Sequence, residues 1–226
     1  MISNKYIVLL LLLTMLGCST PVFVTQESIS DLSLEATGEP AIPASAVAFL
    51  SFIEPALSHE DPGLDLYRNP ITRSYVQEYF VQLAGSREVA MTILYYANQQ
   101  EVPLFLAFSL VQIESEFNWQ AVNQNPGSVD RGLFQLNNRS FPHLREQDFF
   151  NVDTNVSHGI GYMRYTLSEM RDTRRALAMY NAGKSRVVNN TIPASTVIYV
   201  RKIMAYRDQL RNDFRNYLLE TFSASV

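Results

Sequence analysis

Between Leu104 and Ile113 only Ser109 and Gln112 are polar. Leu104, Phe105, Leu106, Phe108, Leu110, Val111 and Ile113 surround a helix instead of forming one stripe, which predicts a helix buried on all sides. Pro103 suits its first turn, where a missing N–H leaves no partner unsatisfied. The helix ends by carrying Glu114 out of the apolar run. Upstream, Tyr75, Val76, Tyr79, Phe80 and Leu83 repeat at three and four, and Gly85 ends that helix. Ser86 caps the next one, whose buried face is Val89, Ala90, Ile93, Leu94 and Ala97. Turns are expected at His59–Gly63 and at Arg68–Pro70.

Downstream, Asn123 to Asp130 breaks the helical pattern, and Asn-Pro-Gly makes it a loop or a small β-hairpin. Gly132 to Asn137 is short and apolar around Gln135. A helix opening at Asp153 or Thr154 carries Val156, Ile160, Met163, Leu167 and Met170 on one face, with Gly159 and Gly161 as candidates for close packing. A short helix over Arg174–Tyr180 stops at Asn181-Ala182-Gly183. After Pro193, Ser195 or Thr196 opens the last helix, which carries Val200, Ile203, Met204, Leu210, Phe214 and Tyr217. There are no internal repeats. The expected fold class is all-α, with one small β excursion between Glu114 and Gln135.

Composition narrows the function classes. With 226 residues, 47% hydrophobic and 18% charged, one domain with a real core is feasible. The net charge of -4 argues against nucleic acid and gives no reason to expect an anionic membrane surface as partner. At the start, Lys5 precedes an apolar run from Ile7 to Leu13, too short to span a bilayer and fitting a secretory signal. It leads into Met15-Leu16-Gly17-Cys18, where Cys18 is the only cysteine. This pattern resembles a bacterial lipoprotein signal, with Met15 where Leu is commoner, and implies lipidation of Cys18; an ordinary signal peptide or an uncleaved anchor are the alternatives. Ser19 to about Ser45, rich in Ser, Thr, Glu and Pro, is expected to be a flexible tether. The expected division is 1–17 signal peptide, 18–45 tether and 46–226 a single catalytic domain with a helical N-terminal extension. His59, His143 and His158 have no metal-ligand spacing in sequence, so no metal and no cofactor is expected.

A carboxylate at the end of a buried helix is partly desolvated, which favours its protonated form. Such an acid suits protonation of a glycosidic oxygen. Around Glu114 four short motifs occur in order: Ile113-Glu114-Ser115-Glu116-Phe117-Asn118, Asp130-Arg131-Gly132-Leu133-Phe134-Gln135-Leu136-Asn137, Ala178-Met179-Tyr180-Asn181-Ala182-Gly183, and Tyr199-Val200. Together they resemble the SLT-type lytic transglycosylases of the goose-lysozyme-like superfamily, which cleave bacterial peptidoglycan. The resemblance covers about Val89 to Leu210. Phe134 stands where the family often has Met, and Ser-Thr-Val-Ile precedes Tyr199 where many members have Glu-Thr-Arg-x. The second departure puts the detailed role of Tyr199 in question.

The resemblance implies a lysozyme-like helical domain and a lone catalytic acid, Glu114. That residue would protonate the leaving oxygen and later take the proton of the sugar's own 6-hydroxyl, giving a 1,6-anhydro product. Gln135 would bind acetamido or hydroxyl groups, and Tyr180 and Asn181 would line the cleft. Tyr199 would hold Glu114 in place or serve as a core tyrosine, and Ser115 would bind in the cleft or cap its helix locally. Asp130 is expected to shape the hairpin, with a second catalytic carboxylate as the alternative; Glu116 is expected to be a solvated helix end. The partners implied are peptidoglycan glycan strands and a membrane, through lipid on Cys18, for a monomer facing the periplasm. Ser19 after the cysteine leans towards the outer membrane. A lysozyme-like hydrolase and a non-catalytic peptidoglycan-binding lipoprotein are the competing readings.

Overall fold

The computed structural model describes residues 44–224 except Glu60, so the expected signal segment, Cys18 and all but the last residues of the tether lie outside the described residues. The apolar run becomes α5, Leu104–Ser115, in which every residue from Leu104 to Val111 is buried. Pro103 stands just before the first helical residue and offers no side-chain cap. A carboxylate from far upstream takes that place: Asp61 Oδ2 accepts from the backbone N–H of Leu106 at 3.2 Å.

Ahead of α5 lie α1 (Ala44–Leu57), α2 (Gly63–Arg68), α3 (Arg73–Ala84) and α4 (Arg87–Gln100). Gly85 ends α3 in the left-handed region (φ 63), which glycine enters without steric cost. Ser86 caps α4 by accepting from Val89 N at 3.3 Å, and the buried residues of α4 are the five expected. α2 corrects the sequence reading, which named only turns between His59 and Pro70. Gly63–Arg68 is helical, and Phe49 and Ile53 of α1 are buried. Gly63 is needed there, because a Cβ on it would lie 2.6 Å from Leu104 Cβ. The segment before Tyr75 is therefore part of the core that supports α5.

After α5 the chain forms β1 (Val122–Asn125), β2 (Ser128–Arg131) and β3 (Leu136–Asn137), an antiparallel sheet in the order β1-β2-β3. Asn125 pairs with Ser128 across the Pro126-Gly127 turn, and Asp130 pairs with Asn137. The expected hairpin thus gains a third strand beyond the Gly-Leu-Phe-Gln motif. A 3₁₀ turn, Glu146–Phe150, precedes α6 (Val152–Met170), whose cap is Asn151, accepting from Thr154 N at 2.9 Å. On α6, Val156, Ile160 and Met163 are buried as expected, while Leu167 and Met170 are partly buried. Asn155, Gly159 and Thr166 join that buried face. A Cβ on Gly159 would collide with the Phe134 ring, whereas one on Gly161 would have its nearest neighbour at 3.5 Å. Only Gly159 marks close packing.

The chain closes with α7 (Thr173–Ala182), α8 (Lys184–Val188) and α9 (Ala194–Ala224). α9 packs along α5, α7, α1 and α3. Phe214 brings it into an aromatic cluster with Tyr79, Phe80 and Phe105, in which Phe80 also stacks on Phe108 at 3.9 Å. The described chain is mostly helical with one small sheet, the lysozyme-like arrangement expected. No described helix is long and apolar enough to cross a membrane.

Candidate active site

The end of α5, the sheet, the end of α7 and the first turns of α9 enclose a cleft of about 1120 Å³. Glu114 lies in the last turn of α5 and opens onto this cleft. Burial pushes its carboxyl up from 4.5 to about 7, the hydrogen bond from Tyr199 pulls it down, and the charge of Asp130 adds to the rise. Tyr199 Oη donates to Glu114 Oε1. Burial, and after it the Glu114 charge, hold both Tyr199 and Tyr180 well above the ordinary phenol range, so both remain donors. A protonated Glu114 near neutrality is what a general acid requires.

The other expected residues also line the cleft: Ser115, Gln135, Tyr180, Asn181 and Tyr199. Their hydrogen bonds show how much of each is already engaged. Ser115 Oγ donates to the carbonyls of Leu133 (2.8 Å) and Val111 (3.2 Å), tying α5 to the motif loop, so its free capacity towards a ligand is as an acceptor. Gln135 spends its amide N–H groups on the carbonyls of Gly132 (2.9 Å) and Ala121 (3.2 Å), leaving Oε1 to accept. Tyr180 Oη donates to the carbonyl of Phe134 at 2.9 Å. Asn181 Oδ1 accepts from Thr196 Oγ1 at 2.7 Å, which leaves its two N–H groups for the cleft.

Asp130 sits among amides. Its Oδ1 accepts from Asn137 Nδ2 (2.6 Å), and its Oδ2 from Asn125 Nδ2 (2.6 Å) and Asn123 Nδ2 (3.4 Å). One carboxylate thereby holds all three strands in register. Glu116 is exposed and caps α5 at φ 52, followed by Phe117 at φ 60, and Gln135 has φ 46. Three non-glycine residues in the left-handed region, two of them lining the cleft, are local strain that the surrounding packing must hold.

Sequence reasoning missed Asn123, Asn125, Asn137, Phe141, Tyr162 and Arg186 as lining residues. It also missed Asn155, whose amide bonds the carbonyls of Phe149 (2.8 Å) and Arg131 (3.0 Å) while its oxygen accepts from Phe134 N (2.9 Å). That buried side chain holds the Gly132–Gln135 loop against α6. The available signal was an asparagine in phase with the core stripe of α6.

Residues 91–195, which hold Glu114, the sheet and the end of α7, match the family model described as Transglycosylase SLT domain. Over that segment the chain is similar to transglycosylase SLT domains. A search of curated proteins returns no match. The matched segment begins inside α4 and ends at the start of α9, four residues short of Tyr199. The partner of Glu114 therefore comes from beyond the matched segment, as does the Asp61 that caps α5. Among the described residues no group of three or more His, Cys, Asp or Glu side chains is placed to hold a metal.

Proposed function

We propose that the protein is a peptidoglycan lytic transglycosylase, cleaving the β-1,4 bond between N-acetylmuramic acid and N-acetylglucosamine and closing a 1,6-anhydro ring. The observation that carries this reading is Glu114, held near neutral pKa, while of the other two carboxylates lining the cleft Asp130 is bound by three amide donors and Glu116 is exposed at the helix end. A glycosidase of the usual kind uses two carboxyl groups, one of them free to act on water or on the sugar. Asp130 has neither oxygen free of a donor, so an internal nucleophile, the 6-hydroxyl of the substrate, is the better fit.

In this mechanism Glu114 Oε2, the oxygen not held by Tyr199, donates its proton to the leaving oxygen as the glycosidic bond breaks. The resulting carboxylate then accepts the proton of the 6-hydroxyl as that oxygen bonds to the anomeric carbon, and the Tyr199 phenol stabilises the charge in between. The sugar's own acetamido group supplies stabilisation of the cationic centre. Gln135 Oε1 and the Asn181 N–H groups offer an acceptor and donors for acetamido and hydroxyl groups on either side. We further read Cys18 as a lipidated N-terminus that tethers residues 46–226 to a membrane facing the periplasm, the outer one favoured by Ser19.

Mass spectrometry of muropeptides released from purified peptidoglycan tests the reaction. Anhydro ends are expected. Reducing ends would make the protein a lysozyme-like hydrolase, and binding without release would make it a peptidoglycan-binding lipoprotein. For the anchor, Cys18→Ser should leave the protein soluble or unprocessed; a processed, lipid-labelled product from that variant would overturn the lipoprotein reading.

A further inference from the structure

His143 and His158, fifteen residues apart in sequence, bring their Nε2 atoms to 3.4 Å. His143 lies on the exposed segment after β3, and His158 is on α6. We propose that the two imidazoles form a binding site for a late first-row divalent cation, with zinc as the representative ion. Zinc binds imidazole nitrogen at about 2.0–2.1 Å in tetrahedral sites, which places two such nitrogens about 3.4 Å apart. The second nitrogen of His158 is already placed as a metal-bound histidine requires: Nδ1 lies 2.9 Å from the Thr154 carbonyl. Donation of Nδ1–H to that oxygen fixes the tautomer and leaves the lone pair on Nε2, facing His143. Without metal, His143 Nε2–H donates to that lone pair. When metal binds, this proton moves to Nδ1 of the exposed His143, so two neutral imidazoles hold the ion with no net loss of a proton.

Two ligands leave the remaining positions for water or a substrate group, and the depression of about 360 Å³ beside His158 gives room for them. Its walls include Phe141 and Tyr162, which also line the catalytic cleft. The Phe141 ring lies 5.7 Å from His158 and 6.3 Å from His143. A metal bridging the pair would fasten the segment carrying Phe141 to α6, and with it one wall of the cleft. This departs from the sequence expectation of no metal, which rested on spacing along the chain. It stands independently of the transglycosylase reading, because its test reads binding.

Isothermal titration of the full-length protein with zinc chloride, paired with thermal melts, tests the site. Saturable binding near one ion per chain and a zinc-dependent rise in Tm are expected, with no response to magnesium or calcium, whose preference is for oxygen ligands. His143→Ala and His158→Ala should each weaken binding at least tenfold, and His158→Gln provides the same test should the alanine variant unfold. His59→Ala, whose ring nitrogen meets Asp65 at 3.0 Å, should bind as the parent does. Absence of zinc binding, or binding that survives loss of both imidazoles, would overturn the proposal and leave the pair as a hydrogen bond only.

Discussion

Tyr199 and Glu114, eighty-five residues apart, share one hydrogen bond at the floor of the cleft, the phenol donating to Oε1 of the carboxyl. The bond joins the first turns of α9 to the last turn of α5. It favours the ionised form of Glu114 while burial favours the protonated one, and burial is the larger effect. Removing the donor should therefore push Glu114 further up. Tyr199→Phe should lower kcat/KM and move the alkaline limb of its pH profile above about pH 7, and an unmoved limb would remove Tyr199 from this role.

Asp130→Asn should move that limb the other way, because the Asp130 charge raises the Glu114 pKa. The substitution also replaces one accepting oxygen by an N–H₂ that faces one or two of the three amide donors, so it should cost about 1–3 kcal/mol of stability. Folded protein should still release anhydro products. A folded Asp130→Asn enzyme as inactive as a Glu114 variant would favour a two-carboxylate mechanism instead.

Glu114→Gln keeps the shape of the side chain and removes the transferable proton. General acid–base groups contribute roughly 10²–10⁴-fold, and one residue here serves both steps, so turnover should fall by at least that range. Circular dichroism and glycan pull-down should show a folded variant that still binds. Wild-type turnover would dismiss Glu114 as the catalyst.

Stability should decline as pH rises from about 4 to about 7. Burial raises Asp61 from 3.8 to about 6 and Glu114 from 4.5 to about 7. In that window the folded chain holds protons that the unfolded chain has released, so rising pH favours unfolding. Thermal melts across the window should flatten in Glu114→Gln. Asp61→Asn should flatten them too and lower Tm throughout, because one amide oxygen replaces a carboxylate serving the N–H groups of Gly63 and Leu106. A slope unchanged in both variants would assign the pH dependence to other groups.

The two glycines of α6 should respond in opposite directions. Gly159→Ala forces a methyl into Phe134 and should cost about 1–3 kcal/mol, with loss of activity through the Gly132–Gln135 loop. Gly161→Ala meets nothing closer than 3.5 Å and should gain about 0.5–1 kcal/mol from helix propensity. Chemical denaturation measures both.

What the sequence determined by itself was the local structure and its order. The face of α4, the buried character of α5, the Gly85 stop and the hairpin at Asn125-Pro126-Gly127-Ser128 follow from periodicity and backbone preference, which act over a few residues. Four motifs in order also pointed to the family that the matched segment bears out. The tertiary structure decided what crosses the chain. Asp61 caps α5 from 45 residues away, three asparagines bond Asp130, Asn155 grips the motif loop, and His143 meets His158. A polar side chain in phase with a buried stripe, such as Asn155, signals its own burial but not its partners, which are chosen by how the helices pack. The short α2 was hidden for the same reason: it is held by contacts with α3 and α5 more than by any pattern of its own.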